Sequence, residues 1–256
     1  MDDVVLLLWT FIKSDPQAGL AKCVCFCEQF GFIVTEDWVC RLWQRIDYTT
    51  KVANFRQKNK YTVENLRYYR LFGMAIQQFP LVKLKFCDES HFRARDLRQP
   101  RGRALKGTSV VLTSKVSLSE SYSITLLTSL AHPDPLFLST PREESNSASD
   151  FLDFVYSIVQ AGGLTAGDVF LLDNASVHWA ADTADELGAL VDAAGVRLVF
   201  LPTYSPELNP CEFVFAQVKR YLRTHSLEHA PFLDCVMDAF ASVSHDNVYH
   251  YYDSCV

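Results

Sequence analysis

The sequence predicts an α/β protein, in which a mixed β-sheet with helices on its faces follows a small all-helical N-terminal segment. Beyond residue 81, short runs rich in β-branched and aromatic residues alternate with amphipathic stretches. The first runs are separated by polar residues, which favours antiparallel pairing, whereas helices separate the later runs. Before residue 50, apolar residues cluster with helical spacing.

Residues 1–50 are predicted to contain helices that end at Gly31 and begin again after the N-cap candidate Thr35. Four apolar residues then recur at i, i+3, i+4 and i+7, as on one buried helix face: Val39, Leu42, Trp43 and Ile46. The opposite face carries Arg41 and Arg45. This outline indicates a partial helix-turn-helix DNA-binding segment, with an ordinary helical hairpin as the alternative.

Charge is unevenly distributed along the chain. The net charge of −6 argues, taken alone, against a nucleic-acid partner. Residues 51–107, however, contain fourteen Lys or Arg and four Asp or Glu, against ten basic and twenty-six acidic residues elsewhere. Residues 51–80 are also rich in Tyr, and we interpret them as a basic helical linker along a phosphate backbone. A solvated helix face is the alternative.

The remaining part, residues 81–256, is predicted to form the sheet and its covering helices. Strands are expected at 81–88, 109–118, 121–130, 168–174 and 196–202. Helices are expected at 150–161, 182–194 and 211–223, with one or two more in the last thirty residues. The Ser-, Pro- and acid-rich run 139–149 is expected to be a loop.

Three acids occupy unusual positions in this pattern. Asp88 and Asp173 each end an apolar strand, and Glu212 opens a helix after a Pro-rich run. Sheets of this kind place their sites at the carboxyl ends of the strands, so the three side chains are expected to converge. Each acid alone also has an ordinary explanation, as a turn residue or as an acid favoured in the first turn of a helix.

Three neighbouring carboxylates repel one another and stay ionised only when cations neutralise them. Oxygen ligands alone suit Mg²⁺ or Mn²⁺. Two such ions, about 3.5–4 Å apart, can stabilise the attacking and leaving oxygens of an in-line displacement at phosphorus. The three acids therefore predict a two-ion centre for phosphodiester chemistry.

Three motifs carry a family resemblance. FCDES at 86–90, LLDNASVH at 171–178 and YSPELNPCEFVFAQVKRYLR at 204–223 resemble the catalytic signatures of mariner-like transposases. These are DDE superfamily endonucleases with a ribonuclease-H-like fold. The third motif favours Glu212 over the nearby Glu207, because the family's catalytic acid follows Asn-Pro-x. Residues 31–45 resemble the end of the family's helix-turn-helix region, so we expect an N-terminal region truncated from two such units to at most one.

The resemblance implies divalent-metal-dependent DNA strand cleavage and strand transfer, with catalytic and metal-binding roles for Asp88, Asp173 and Glu212. It also implies double-stranded DNA, as transposon ends and target, and a homodimer that pairs two ends. Basic residues and one histidine near the motifs are candidate DNA contacts: Arg41, Arg45, Arg93, Arg95, Arg98, Arg101, Arg103, Lys106, His178 and Lys219.

Two alternatives to a transposase remain open. One is a catalytically inactive or domesticated DNA-binding protein derived from such an enzyme, and the other is a cellular nuclease acting on RNA–DNA hybrids. The sequence contains no uncharged apolar stretch of about 18 residues, so no membrane span is expected. Eight sparse cysteines fit reduced thiols. We therefore expect an intracellular protein, located in the nucleus if the host is eukaryotic.

Overall fold

The structure is a computed structural model that describes residues 2–51, 58–97, 103–109, 119–173, 181–225 and 231–256. The chain divides into two units, Met1–Phe55 and Arg56–Val256. Among the described residues, no helix is both long and apolar enough to cross a membrane.

The first unit contains helices α1 (Asp2–Ser14), α2 (Leu20–Gln29) and α3 (Glu36–Arg45). Their apolar faces enclose a small core: Val4, Leu8, Ile12, Cys23, Cys27, Val39 and Leu42. The predicted helical content of this region is confirmed. The Thr35 hydroxyl caps α3 by accepting a hydrogen bond from the Trp38 backbone N–H at 3.2 Å. Gly31 takes a φ of 79° after α2, a conformation that glycine adopts readily.

The second unit is organised by a five-stranded sheet. Its strands are β1 (Leu84–Arg93), β2 (Ser121–Ser129), β3 (Leu136–Leu138), β4 (Val169–Leu172) and β5 (Arg197–Phe200). They lie in the order β3-β2-β1-β4-β5. The pairs β1–β2 and β2–β3 are antiparallel, whereas β1–β4 and β4–β5 are parallel. The predicted mixed sheet is therefore confirmed.

One strand prediction differs from the structure, and another lies largely outside the described residues. Strand β1 continues five residues beyond Asp88, because residues 89–93 pair with β2. The other prediction, a strand at 109–118, falls at 110–118 outside the described residues. In the described part of the chain, β2 pairs with β1 and with the short strand β3, which the sequence did not predict.

Helices cover both faces of the sheet. They are α4 (Val63–Ile76), α5 (Ala148–Gln160), α6 (Ala181–Ala193), α7 (Pro210–Thr224), α8 (Phe232–Ala241) and α9 (His245–Cys255). One core joins α4, α7, α8 and α9 to the sheet, and a second joins α5 and α6. Strand β4 alternates between them, since Val169 and Leu171 enter the first core while Phe170 and Leu172 enter the second.

The last helix is tied to the sheet centre by Tyr252, which is fully buried. Its hydroxyl bonds to the Leu84 carbonyl at 3.1 Å, the Thr128 carbonyl at 2.9 Å and the Thr128 hydroxyl at 3.0 Å. These groups belong to β1 and β2. One phenol thus joins α9 to the two central antiparallel strands.

We predict that Tyr252→Phe lowers the free energy of unfolding by about 1–3 kcal/mol, because buried hydrogen-bonding groups lose their partner while the ring remains. Urea denaturation measures the change. Tyr249→Phe on the same helix is the control, since Tyr249 is exposed, and it should cost less than about 0.5 kcal/mol. Equal effects of the two substitutions would contradict the assigned role of the buried hydroxyl.

Candidate active site

The first two acids of the site lie side by side because of strand register. In the parallel pair of β1 and β4, Cys87 is the partner of Leu172. The next residue on each strand is an acid, Asp88 or Asp173. Asp173 follows the last residue of β4, and Asp88 remains within β1. The predicted convergence of these two side chains therefore follows from backbone pairing.

The third acid is positioned by the start of α7. Pro210 occupies the first turn, and the side chain of the N-cap residue Asn209 accepts from the Cys211 backbone N–H at 3.1 Å. The Cys211 thiol is buried and donates to the Phe86 carbonyl on β1 at 3.3 Å. Glu212 is the next residue, so the contact of α7 with β1 places its carboxylate near Asp88.

All three acids line one cavity of about 460 Å³, together with residues of the segment 201–209. We call this segment the β5–α7 loop. Tyr204, in the wall of the cavity, has a φ of 54°, which is uncommon for a residue other than glycine. Tyr204 is 47% exposed. No local sequence pattern predicts a positive φ at a tyrosine, so this residue is not among the predicted site residues.

Burial and neighbouring carboxylates disfavour the ionised form of two acids in the cavity. Burial, then the charges of Asp173 and Glu212, raise the pKa of Asp88 to about 8. Burial is also the largest cause of the raised pKa of Glu212, with Lys219 opposing it and Asp173 adding to it. A divalent cation in the cavity would favour the ionised form of both carboxyls and so lower both pKa values.

Asp88 is held by hydrogen bonds to both of its carboxylate oxygens. The Asn209 side-chain amide donates to Oδ2 at 2.8 Å, and the Glu89 backbone N–H donates to Oδ1 at 2.7 Å. Asn209 is only 2% exposed. It therefore both caps α7 and orients an acid 121 positions away. The sequence analysis missed this second role, since an Asn before Pro at a helix start is fully explained as a cap.

The donor set fits a hard divalent cation, because it consists of carboxylate oxygens with an amide oriented beside them. Among the described residues, no group of three or more His, Cys, Asp or Glu side chains is arranged to hold a metal ion. The carboxylates of the cavity thus have suitable chemistry for such a cation, while the described side chains are not arranged to hold one.

Glu207, the other acid of the Pro-rich motif, has a different environment. Its carboxylate forms an ion pair with the Lys60 ammonium, with 2.5 Å between Oε1 and Nζ. The side chain of Glu207 is 44% exposed. This pairing agrees with the choice of Glu212 as the third acid of the site.

Lys219 is a predicted DNA-contact residue whose charge acts on two of the acids, Glu212 and Asp88. Its ammonium donates to the Ser90 hydroxyl at 2.8 Å and lies 5.4 Å from the centre of the Phe92 ring. Burial is the main cause of its lowered pKa, while Glu212 acts in the opposite direction. Among described residues, those that line the cavity include no Lys or Arg.

The other predicted DNA contacts are more dispersed. Arg93 and Arg95 form surface ion pairs with Asp96 at 3.8 and 3.5 Å. Arg103 and Lys106 are exposed. In the first unit, Arg41 pairs with Asp37, and Arg45 is exposed in the last turn of α3. Three predicted contacts lie outside the described residues: Arg98, Arg101 and His178.

Comparison with known proteins identifies related sequences and folds. Residues 83–233, more than half of the chain, match the family described as DDE superfamily endonuclease. Among curated proteins, none matches the chain significantly.

Solved structures of the Mos1 transposase have a similar fold. The pre-cleavage Mos1 transpososome has a TM-score of 0.70 and 14% identity, with 98% of this chain and 75% of that chain covered. The Mos1 mariner paired end complex with Mn has a TM-score of 0.65 and 15% identity, with coverages of 98% and 75%. The catalytic domain of Mos1 mariner transposase has a TM-score of 0.55 and 14% identity, with 80% of this chain and 92% of that chain covered. The predicted ribonuclease-H-like fold is confirmed.

The raised pKa of Asp88 predicts how stability depends on pH. Because the folded protein holds this proton up to a pH of about 8, whereas the unfolded carboxyl loses it near its usual 3.8, the folded state binds more protons between these values. The free energy of unfolding of metal-free protein should therefore fall from pH 5 to pH 8, with a contribution from Asp88 on the order of 4 kcal/mol.

Urea denaturation at a series of pH values in chelator measures this slope. Asp88→Asn should show a shallower decline than the wild type, and Asp253→Asn, at an exposed position on α9, should retain the full decline. Millimolar Mg²⁺ should restore wild-type stability at pH 8 but not that of Asp88→Asn. Identical slopes in all three proteins would contradict the electrostatic description of the cavity.

Proposed function

The chain belongs to the DDE superfamily endonucleases, and on this premise we propose that it catalyses divalent-metal-dependent DNA strand cleavage and strand transfer. One observation carries the proposal. The register of β1 with β4, together with the start of α7, brings Asp88, Asp173 and Glu212 to a single cavity. These are the acids of the three motifs, and all three lie within the matched region.

In the proposed reaction, the three carboxylates hold two Mg²⁺ or Mn²⁺ ions. Bound ions of this kind activate the attacking oxygen and stabilise the leaving oxygen of a displacement at phosphorus. The residues of the chain orient the participants. Asn209 fixes the direction of the Asp88 carboxylate, and Lys219 presents an ammonium group near Glu212 that can contact a phosphate. No covalent bond between protein and DNA is required.

The proposed partner is double-stranded DNA, bound by a dimer of this chain. The similar Mos1 structures include paired-end complexes, one of them with a left transposon end. The excess of basic residues between positions 51 and 107 supports contact with a phosphate backbone. The three-part division into residues 1–50, 51–80 and 81–256 belongs to the same proposal, with a DNA-binding segment, a basic linker and a catalytic domain.

A second candidate is a protein of the same family that binds DNA without cutting it. It is favoured by the observation that, in the described residues, no three acid, His or Cys side chains are arranged to hold a metal ion. Cleavage of a generic duplex in Mn²⁺ distinguishes the two candidates, because a binding-only protein leaves the duplex intact.

We predict that Asp173→Asn and Glu212→Gln each lower the rate of Mn²⁺-dependent cleavage by at least about 10³-fold, while DNA binding changes little. Gel analysis of nicked duplex gives the rate, and a mobility shift in chelator gives the binding. Glu186→Gln, at an exposed position on α6, is the control and should keep the wild-type rate. Nicking by Asp173→Asn at the wild-type rate would refute the assignment.

A further inference from the structure

The β5–α7 loop connects the sheet to the third acid and forms much of the cavity wall. It ends at Asn209, whose amide orients Asp88. A shift of this loop would therefore move two parts of the site, the Asp88 carboxylate and the start of α7. What holds the loop in place is accordingly relevant to the metal ligands.

Asn65 on α4 forms a two-point contact with this loop. Its Oδ1 accepts from the Thr203 backbone N–H at 2.9 Å, and its Nδ2 donates to the Thr203 carbonyl at 3.1 Å. The same Nδ2 also donates to the Lys60 carbonyl at 2.9 Å. Asn65 is 9% exposed. Its amide thus joins the segment before α4 to the loop, across 138 positions of sequence.

Two neighbouring residues reinforce this contact. The Tyr68 hydroxyl donates to the Phe200 carbonyl at 2.6 Å, at the end of β5. Lys60 forms an ion pair with Glu207, within the loop. The contacts therefore reach Phe200 just before the loop, and Thr203 and Glu207 within it. The Lys60 pair is partly exposed and stabilises less than the buried amide contacts.

The loop needs such contacts because one of its residues has an unfavourable backbone conformation. Tyr204, directly after Thr203, has a φ of 54°. A left-handed conformation costs about 1 kcal/mol or more for a residue with a Cβ, and it persists where surrounding contacts fix it. The Asn65 amide bonds to both the N–H and the carbonyl of Thr203, and it thereby fixes the backbone that precedes Tyr204.

We propose that Asn65 is a positioning residue for the carboxylate site. It holds the β5–α7 loop in place, so that Asn209 orients the Asp88 carboxylate and the start of α7 places Glu212 for metal binding. The inference rests on the proposed metal-dependent function. Asn65 lies outside the region 83–233 that matches the endonuclease family. The basic segment around α4 therefore has a role within the catalytic unit, besides any contact with DNA.

The full-length chain tests the proposal with two substitutions. Asn65→Ala removes all three bonds of the amide, whereas Tyr68→Phe removes one hydroxyl and keeps the ring. The controls are Ile158→Val, in the core on the opposite face of the sheet, and Tyr156→Phe, at an exposed position on α5. Thermal unfolding midpoints measure whether Asn65→Ala and Ile158→Val are destabilised to a comparable extent.

Two measurements are made on each protein. Hydrogen exchange of the metal-free protein, read on peptides that cover residues 201–209, should be faster in Asn65→Ala and slightly faster in Tyr68→Phe. Mn²⁺ affinity, from isothermal titration calorimetry, should be about tenfold weaker in Asn65→Ala, the loss typical when a group that orients a metal ligand is removed. Both controls should match the wild type in both measurements.

Exchange and Mn²⁺ affinity in Asn65→Ala equal to those in Ile158→Val would overturn the positioning role and leave the proposed function standing. Faster loop exchange with unchanged Mn²⁺ affinity would also overturn it, because the loop would then be held without effect on the ligands. Wild-type protein that binds no Mn²⁺ would instead contradict the proposed function. In that case, exchange of the metal-free protein still decides whether Asn65 holds the loop.

Discussion

The site depends on one constraint, the register of the parallel strands β1 and β4. Pairing of Cys87 with Leu172 makes the following residues, Asp88 and Asp173, neighbours. A shift of one residue would turn an acid toward a hydrophobic core, since side chains alternate between the two faces. Because Leu171 and Leu172 enter opposite cores, the packing of both sheet faces enforces this register. Apolar burial thus holds two mutually repelling carboxylates together.

The third acid is held by a different kind of contact. Helix α7 buries Cys211 and Val214 against the sheet while Glu212, between them, lines the cavity. This arrangement couples the position of a proposed metal ligand to the core of the second unit. The raised pKa values of Asp88 and Glu212 have burial as their largest cause. Stability without a cation is therefore reduced where the proposed reaction would use one, as is common at functional sites.

Polar contacts between distant segments complete the site. Asn209 and Asn65 are both buried, and each bonds to a group more than a hundred positions away. Asn209 is also the N-cap of α7, a position where Asn is favoured for local reasons, whereas Asn65 lies in the first turn of α4. In α4, Thr62 supplies the cap by accepting from the Asn65 backbone N–H, which leaves the Asn65 side chain to contact the loop. The two amides link α4, the β5–α7 loop and Asp88 into one connected structure.

The sequence by itself determined most of the helices and strands, and it singled out the three acids. Periodicity and capping predicted α3, α5, α6 and α7 to within about two residues, and strand ends with the Pro-rich motif selected the three acids. Only the tertiary structure decided which strands are neighbours, that β1 continues past Asp88, and that Glu207 pairs with Lys60. The physical reason is the sequence separation between the residues in contact. Helix periods and caps are fixed by contacts a few residues apart, whereas strand neighbours and buried amide partners are selected by packing between segments that the chain keeps far apart.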